Sequence, residues 1–102
     1  MSMTTLKNPV KQFLELQRNR WQNWNIPYTD GEALYRLVTE NNFKSALEIG
    51  TSTGHSTIWL AYAMQHTGGK VTTIENNETR YNKALKNFEL AGVSNQVDAL
   101  SM

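Results

Sequence analysis

The run Ala46-Leu47-Glu48-Ile49-Gly50-Thr51-Ser52-Thr53-Gly54-His55-Ser56-Thr57 leaves this chain few folds to choose from. Ala46 to Ile49 is apolar apart from one carboxylate near its end, as expected of a parallel strand covered on both faces. Gly50 and Gly54 then let the backbone turn sharply and approach a ligand with no Cβ in the way. Ser56 and Thr57, followed by Ile58-Trp59-Leu60-Ala61, enter a helix whose free N–H groups point back at the turn. A helix N-terminus of that kind attracts an anion. Together these residues describe a small ligand with a negative end, held where strand becomes helix.

At 102 residues the chain makes one domain at most. Ten basic and nine acidic residues leave a net charge of +1, with no cationic run, which argues against nucleic acid or a membrane surface as partner. With no cysteine, disulfides, thiolate zinc sites and cysteine nucleophiles are excluded. Met1 to Lys11 lacks the apolar stretch of a signal peptide, and no apolar run approaches membrane-spanning length. The expectation is a cytoplasmic protein.

Upstream of the central run, Asn8-Pro9 pairs an N-cap with proline at the first helical position, opening a helix to about Trp21. Val10, Phe13, Leu14, Gln17 and Trp21 share one face and, with Trp24, need a surface to pack on. Ile26-Pro27-Tyr28 breaks this helix, and Thr29-Asp30-Gly31-Glu32 has the form of a capping box for a second, to about Glu40. Leu34, Leu37 and Val38 are its expected buried face. The helix after the central run reaches about His66 and packs through Ile58, Ala61, Tyr62 and Met64. Thr67-Gly68-Gly69 turns the chain into a β-branched strand, Val71-Thr72-Thr73-Ile74, ending in Glu75. Tyr81, Ala84, Leu85, Phe88 and Ala91 recur at helical spacing and Gly92 stops the helix. Val97 to Leu100 begins a third strand. Helix–strand alternation of this kind predicts an α/β fold, a right-handed, doubly wound parallel sheet with N-terminal helices, in which two βα units are complete and a third reaches only its strand. Residues 1–25 form an N-terminal helical segment and residues 26–102 half of a Rossmann-like domain.

Glu75 lies 21 positions after Gly54, at the carboxyl end of the second strand. In doubly wound folds an acidic residue at about this spacing accepts hydrogen bonds from the hydroxyls of a bound ribose. A solvated glutamate beside the next helix is the plainer alternative. Glu48, inside an apolar strand, needs compensation from backbone amides of the turn or from a ligand ammonium. His55, beside a helix N-terminus, reads as structural or ligand-lining rather than as a base. His66, in a last turn, reads as a cap. A nicotinamide dinucleotide is the rival ligand, but Gly50-Thr51-Ser52-Thr53-Gly54 lacks the middle glycine that admits a pyrophosphate.

Glu48-Ile49-Gly50-Thr51-Ser52-Thr53-Gly54 resembles motif I of class I S-adenosylmethionine-dependent methyltransferases, Glu/Asp-x-Gly-x-x-x-Gly. Leu47 to Thr57 with Gly68-Gly69-Lys70-Val71-Thr72-Thr73-Ile74-Glu75 is similar to the catechol and caffeoyl-CoA O-methyltransferase family, over roughly Ile26 to Leu100. The resemblance implies that Glu48 and the backbone of Gly50, Thr51 and Ser52 flank the methionine part of S-adenosylmethionine. It implies that Ser56, after Gly54, bonds the cofactor carboxylate, that Glu75 takes the ribose hydroxyls and Asn76 lies along the adenine, and that Pro27-Tyr28 closes over the cofactor. The implied reaction is methyl transfer to a hydroxyl of a small-molecule acceptor, often with a divalent metal. The metal ligands, the catalytic base and most of the acceptor pocket would lie beyond Met102, so this chain would hold the cofactor half. The family's usual strand order implies an incomplete Rossmann-like sheet of about three strands, in the order 3-2-1, whose first strand has an open edge that invites association into a homodimer. A non-catalytic, self-associating half-domain and a dinucleotide-binding fragment are the alternatives.

Overall fold

The computed structural model describes residues 9–16 and 28–102. Its elements in chain order are α1 (Pro9–Leu16), α2 (Tyr28–Asn41), β1 (Ser45–Ile49), α3 (His55–Thr67), β2 (Lys70–Glu75), α4 (Glu78–Ala91), a 3-10 turn (Ser94–Gln96) and β3 (Val97–Ser101). The three strands form one parallel sheet in the order β1-β2-β3. This is the expected incomplete Rossmann-like arrangement, with β1 at an edge. The proposed boundary near residue 25, the continuation of α1 to Trp21, and Gln17, Trp21, Trp24 and Pro27 lie outside the described residues.

One face of the sheet is covered and, among the described residues, the other is bare. Register puts Ala46, Val71 and Val97 in one row, and Glu48, Thr73 and Ala99 in the next. These rows face the helices, with α3 packed on β2 and β1, and α4 on β3 and β2. Leu47 and Ile49 point the other way and are 68% and 72% exposed. Among the described residues, the expectation that β1 is covered on both faces holds for one face only. The strand order proceeds in one direction, so crossovers of one hand place both connecting helices on the same side.

Helix α3 is the centre of the covered layer. Thr57, Ile58, Trp59 and Ala61 to Met64 are all buried, since α2, α1 and the sheet each take a side of it. Trp59 lies against Gly31 of α2, where any Cβ would collide with the indole. Val10 and Leu14 of α1 are fully buried, in line with the expected face. Phe88, 1% exposed, is the largest fully buried side chain among the described residues, a contribution of about 2–3 kcal/mol from apolar burial.

Three local expectations change. Helix α2 already includes Tyr28, so Thr29 to Glu32 form its first turn instead of standing at its cap. The Tyr28 ring meets Trp59 edge to face at 5.0 Å and anchors that turn. Leu37 is 52% exposed, and α2 buries Gly31 and Val38 with Tyr35 half-buried, because the approach of Trp59 to Gly31 rotates the inward stripe. Leu85 is 38% exposed, whereas Ala84, Phe88 and Ala91 of α4 are buried as expected. The expected stop at Gly92 holds, and Gly68, expected in a turn, also ends its helix: both are left-handed, at φ 78° and 80°, and return N–H groups to the last carbonyls.

Candidate functional site

The loop from Gly50 to Gly54 is pinned at both ends. Gly50 and Thr51 both donate their N–H to the carbonyl of Ile74, at 2.8 and 3.1 Å, tying the loop to the end of β2. Gly54, at φ 95°, precedes α3, and a Cβ there would stand 2.6 Å from the Phe88 ring. Ser52 also adopts a left-handed φ of 54°, a conformation unusual for a non-glycine residue. Asn87 of α4 donates its side-chain amide to the Thr53 carbonyl at 2.9 Å. No side chain caps the N-terminus of α3.

Glu48, at the end of β1, is held by hydroxyls. Its Oε1 accepts from Thr57 Oγ1 and, at 2.9 Å, from Thr73 Oγ1; its Oε2 accepts from Ser56 Oγ. Thr51 Oγ1 lies 2.6 Å from Thr73 Oγ1. A hydroxyl has one proton, and that of Thr73 goes to the carboxylate, so Thr51 donates to Thr73. The compensation expected from the turn's amides comes instead from side chains on β2 and on the first turn of α3.

Glu75, at the end of β2, is held by the backbone. It is 4% exposed; Oε1 accepts the Ser52 N–H at 2.7 Å and Oε2 the Asn77 N–H at 2.9 Å. A carboxylate offers about four acceptor positions, so each oxygen keeps one. They border a cleft of about 260 Å³ lined by Gly50, Ser52, Glu75, Asn76 and Arg80. The solvated-glutamate alternative does not survive this burial. Asn77 also caps α4, its side chain accepting from the Arg80 N–H at 2.9 Å.

Four expected residues, Gly50, Ser52, Glu75 and Asn76, thus share one cleft. Glu48, Thr51 and Ser56 form the adjoining hydroxyl network. Tyr28 does not reach the cleft; its ring is engaged by Trp59, and it lines a separate cavity of about 220 Å³ with Tyr35, Trp59 and Tyr62. Burial and the neighbouring Tyr62 raise the Tyr35 phenol above its ordinary 10.0. His55 is 2% exposed and its Nε2 accepts from the Trp59 indole at 3.3 Å, the structural placement expected of it. His66 packs its ring against Tyr35 and Tyr62, while Gly68 closes the helix.

Sequence reasoning passed over Arg80, Thr57 and Thr73. For Thr73 a signal was present. Alternation along β2 puts it on the same inward face as Glu75, so two successive inward positions are polar. Among the described residues no group of three His, Cys, Asp or Glu side chains could hold a metal ion, so the implied divalent metal has no ligand set there. No helix of the described residues is long and apolar enough to cross a membrane.

A family profile described as O-methyltransferase matches residues 3–101. The chain belongs to the O-methyltransferase family. Among curated relatives, caffeoyl-CoA O-methyltransferase 1 of Arabidopsis thaliana is 35% identical over 78 residues, covering 74% of this chain and 30% of the relative. An O-methyltransferase from Bacillus cereus, solved in complex with SAH, matches with a TM-score of 0.75 at 30% identity, over 92% of this chain and 43% of that one. TomG, an O-methyltransferase of Streptomyces achromogenes solved with SAM, gives a TM-score of 0.74 at 26% identity, over 93% and 43%. The chain spans less than half the length of these family members. Its fold is the Rossmann-like fold of these methyltransferases, and the alternative of a dinucleotide-binding fragment is not favoured.

Proposed function

We propose that this chain is the S-adenosylmethionine-binding part of an O-methyltransferase that acts on a hydroxyl of a small molecule. The observation that carries the reading is Glu75, buried, oriented by two backbone N–H groups, and left with one acceptor position on each oxygen beside an open cleft. Two acceptors a carboxylate apart suit the two hydroxyls of a ribose. Asn76 then borders the base. Glu48 and the Gly50–Thr51 backbone face the aminoacyl end. The Ser56 hydroxyl donates to Glu48, so the uncapped N-terminus of α3, with the Ser56 N–H, is the donor left for a ligand carboxylate.

When bound, S-adenosylmethionine supplies an electrophilic methyl group on sulfur. Transfer of that methyl group to the acceptor oxygen would need a base for the hydroxyl proton from outside the residues named here. The part these residues play is to fix the sulfonium against its target, which works through orientation and exclusion of water. Calorimetric titration of the chain with S-adenosylhomocysteine and, separately, with NAD tests this. Binding of the first without the second is expected; strong NAD binding with no response to S-adenosylhomocysteine would overturn the reading.

The bare sheet face supports a second reading, of how the chain behaves in solution. Leu47, Ile49 and Leu100 form an apolar surface beside the open edge of β1, and two copies would bury it against each other. Size-exclusion chromatography should then show a concentration-dependent dimer, and a monomer at every concentration would contradict it.

A further inference from the structure

We infer that Thr73 is a positioning residue for the aminoacyl end of the cofactor, although it stands in the middle of a core strand. The inference rests on the reading of the cleft given above and deepens it. Thr73 is fully buried in β2 and pairs in register with Glu48. Its hydroxyl donates to Glu48 Oε1 at 2.9 Å and accepts from Thr51 Oγ1 at 2.6 Å. One oxygen atom therefore joins the two groups that flank the methionine part, the carboxylate of β1 and the glycine loop.

The apolar packing around Thr73 does not ask for that oxygen; its partners do, Glu48 and Thr51. Valine has the same shape as threonine and an equal fit to a buried strand, so the hydroxyl is the only thing threonine adds. A polar atom kept in a core, fully partnered and absent from any turn or cap, fixes the groups it bonds. The bond count sharpens the point. Glu48 Oε1 already accepts from Thr57 and Thr73, and Oε2 from Ser56, which leaves one of about four acceptor positions, on Oε2. That position can meet a ligand ammonium only while Oε1 is held inward. Thr73 holds it there, and through Thr51 it sets how far the loop stands from the strand end.

The test separates the two ends of the ligand. S-adenosylhomocysteine carries both the nucleoside and the aminoacyl group; 5′-methylthioadenosine keeps the nucleoside alone. In calorimetric titration, Thr73→Val should weaken S-adenosylhomocysteine about tenfold, the loss of one charge-assisted bond's positioning, and leave 5′-methylthioadenosine within about twofold. Thr73→Ser, which keeps the hydroxyl, should restore the first affinity. A merely structural role would lower both ligands together, and that result overturns the inference, as does no change in either. If Thr73→Val does not fold, Thr51→Val cuts the same chain from the loop side and must show the same split. Failure of the unsubstituted chain to bind either nucleoside overturns the reading of the cleft, and this inference falls with it.

Discussion

Two neighbouring parallel strands each carry a glutamate at or next to their last residue, and the two carboxylates are held by opposite means. Glu48 on β1 is gripped by three side-chain hydroxyls, from Ser56, Thr57 and Thr73. Glu75 on β2 is gripped by two backbone N–H groups, from Ser52 and Asn77. Hydroxyls rotate, so donor and acceptor can exchange roles. Backbone N–H groups cannot. The surroundings of Glu48 depend on which residues occupy three positions, and those of Glu75 depend on the path of the loop. The first can be retuned by substitution, and the second survives any substitution that leaves the loop in place. On the proposed reading of the cleft, this makes a constant nucleoside end beside an adjustable aminoacyl end.

The largest expected effect breaks both ends together. Gly54→Ala places a Cβ 2.6 Å from the Phe88 ring at a φ of 95°, so the loop must move. We expect a loss of about 2–4 kcal/mol in stability by chemical denaturation, from overpacking and left-handed strain combined. A near-neutral substitution would mean that the loop is not fixed by α4, and the contrast between the two carboxylates would lose its basis.

A matched pair of substitutions sharpens the contrast. Glu75→Gln turns an amide N–H toward a backbone N–H, at Ser52 or at Asn77, and neither can turn away. The expected cost is about 2 kcal/mol. Glu48→Gln can keep its carbonyl toward Thr57 and Thr73 and needs only Ser56 to reverse its hydroxyl, so its cost should stay below about 1 kcal/mol. Thermal melts of the two variants decide between them. Equal destabilisation would contradict the distinction between hydroxyl and backbone donors. Ser56→Ala is the smallest change, at about 0.5–1 kcal/mol, because Oε2 of this part-buried glutamate can take water in place of the lost donor.

The same contrast shows what was legible in the sequence. Glu75 could be found by counting, because a strand of fixed rise and a helix of fixed pitch set its distance from Gly54. Gly68 and Gly92 could be read as helix stops, since a left-handed cap is a local demand that glycine meets at little cost. The partners of Glu48 could not be found in this way. Thr73 is 25 residues distant, and its approach depends on strand register. That one face of β1 carries no layer among the described residues was not legible for a related reason. Three apolar residues in Ala46 to Ile49 say that a strand is hydrophobic, but which layer covers Leu47 and Ile49 is decided elsewhere in the fold. The stripe of α2 was displaced by one indole meeting one glycine, a tertiary contact that no periodicity records.

The account stands on Glu75 receiving a ribose diol, and a cycle in both protein and ligand measures that directly. Adenosine and 2′,3′-dideoxyadenosine should be titrated calorimetrically into the native chain and into Glu75→Gln. Loss of the hydroxyls should cost at least about tenfold in affinity against the native chain and next to nothing against the variant. The same loss against both proteins would mean that the hydroxyls are held by something other than Glu75.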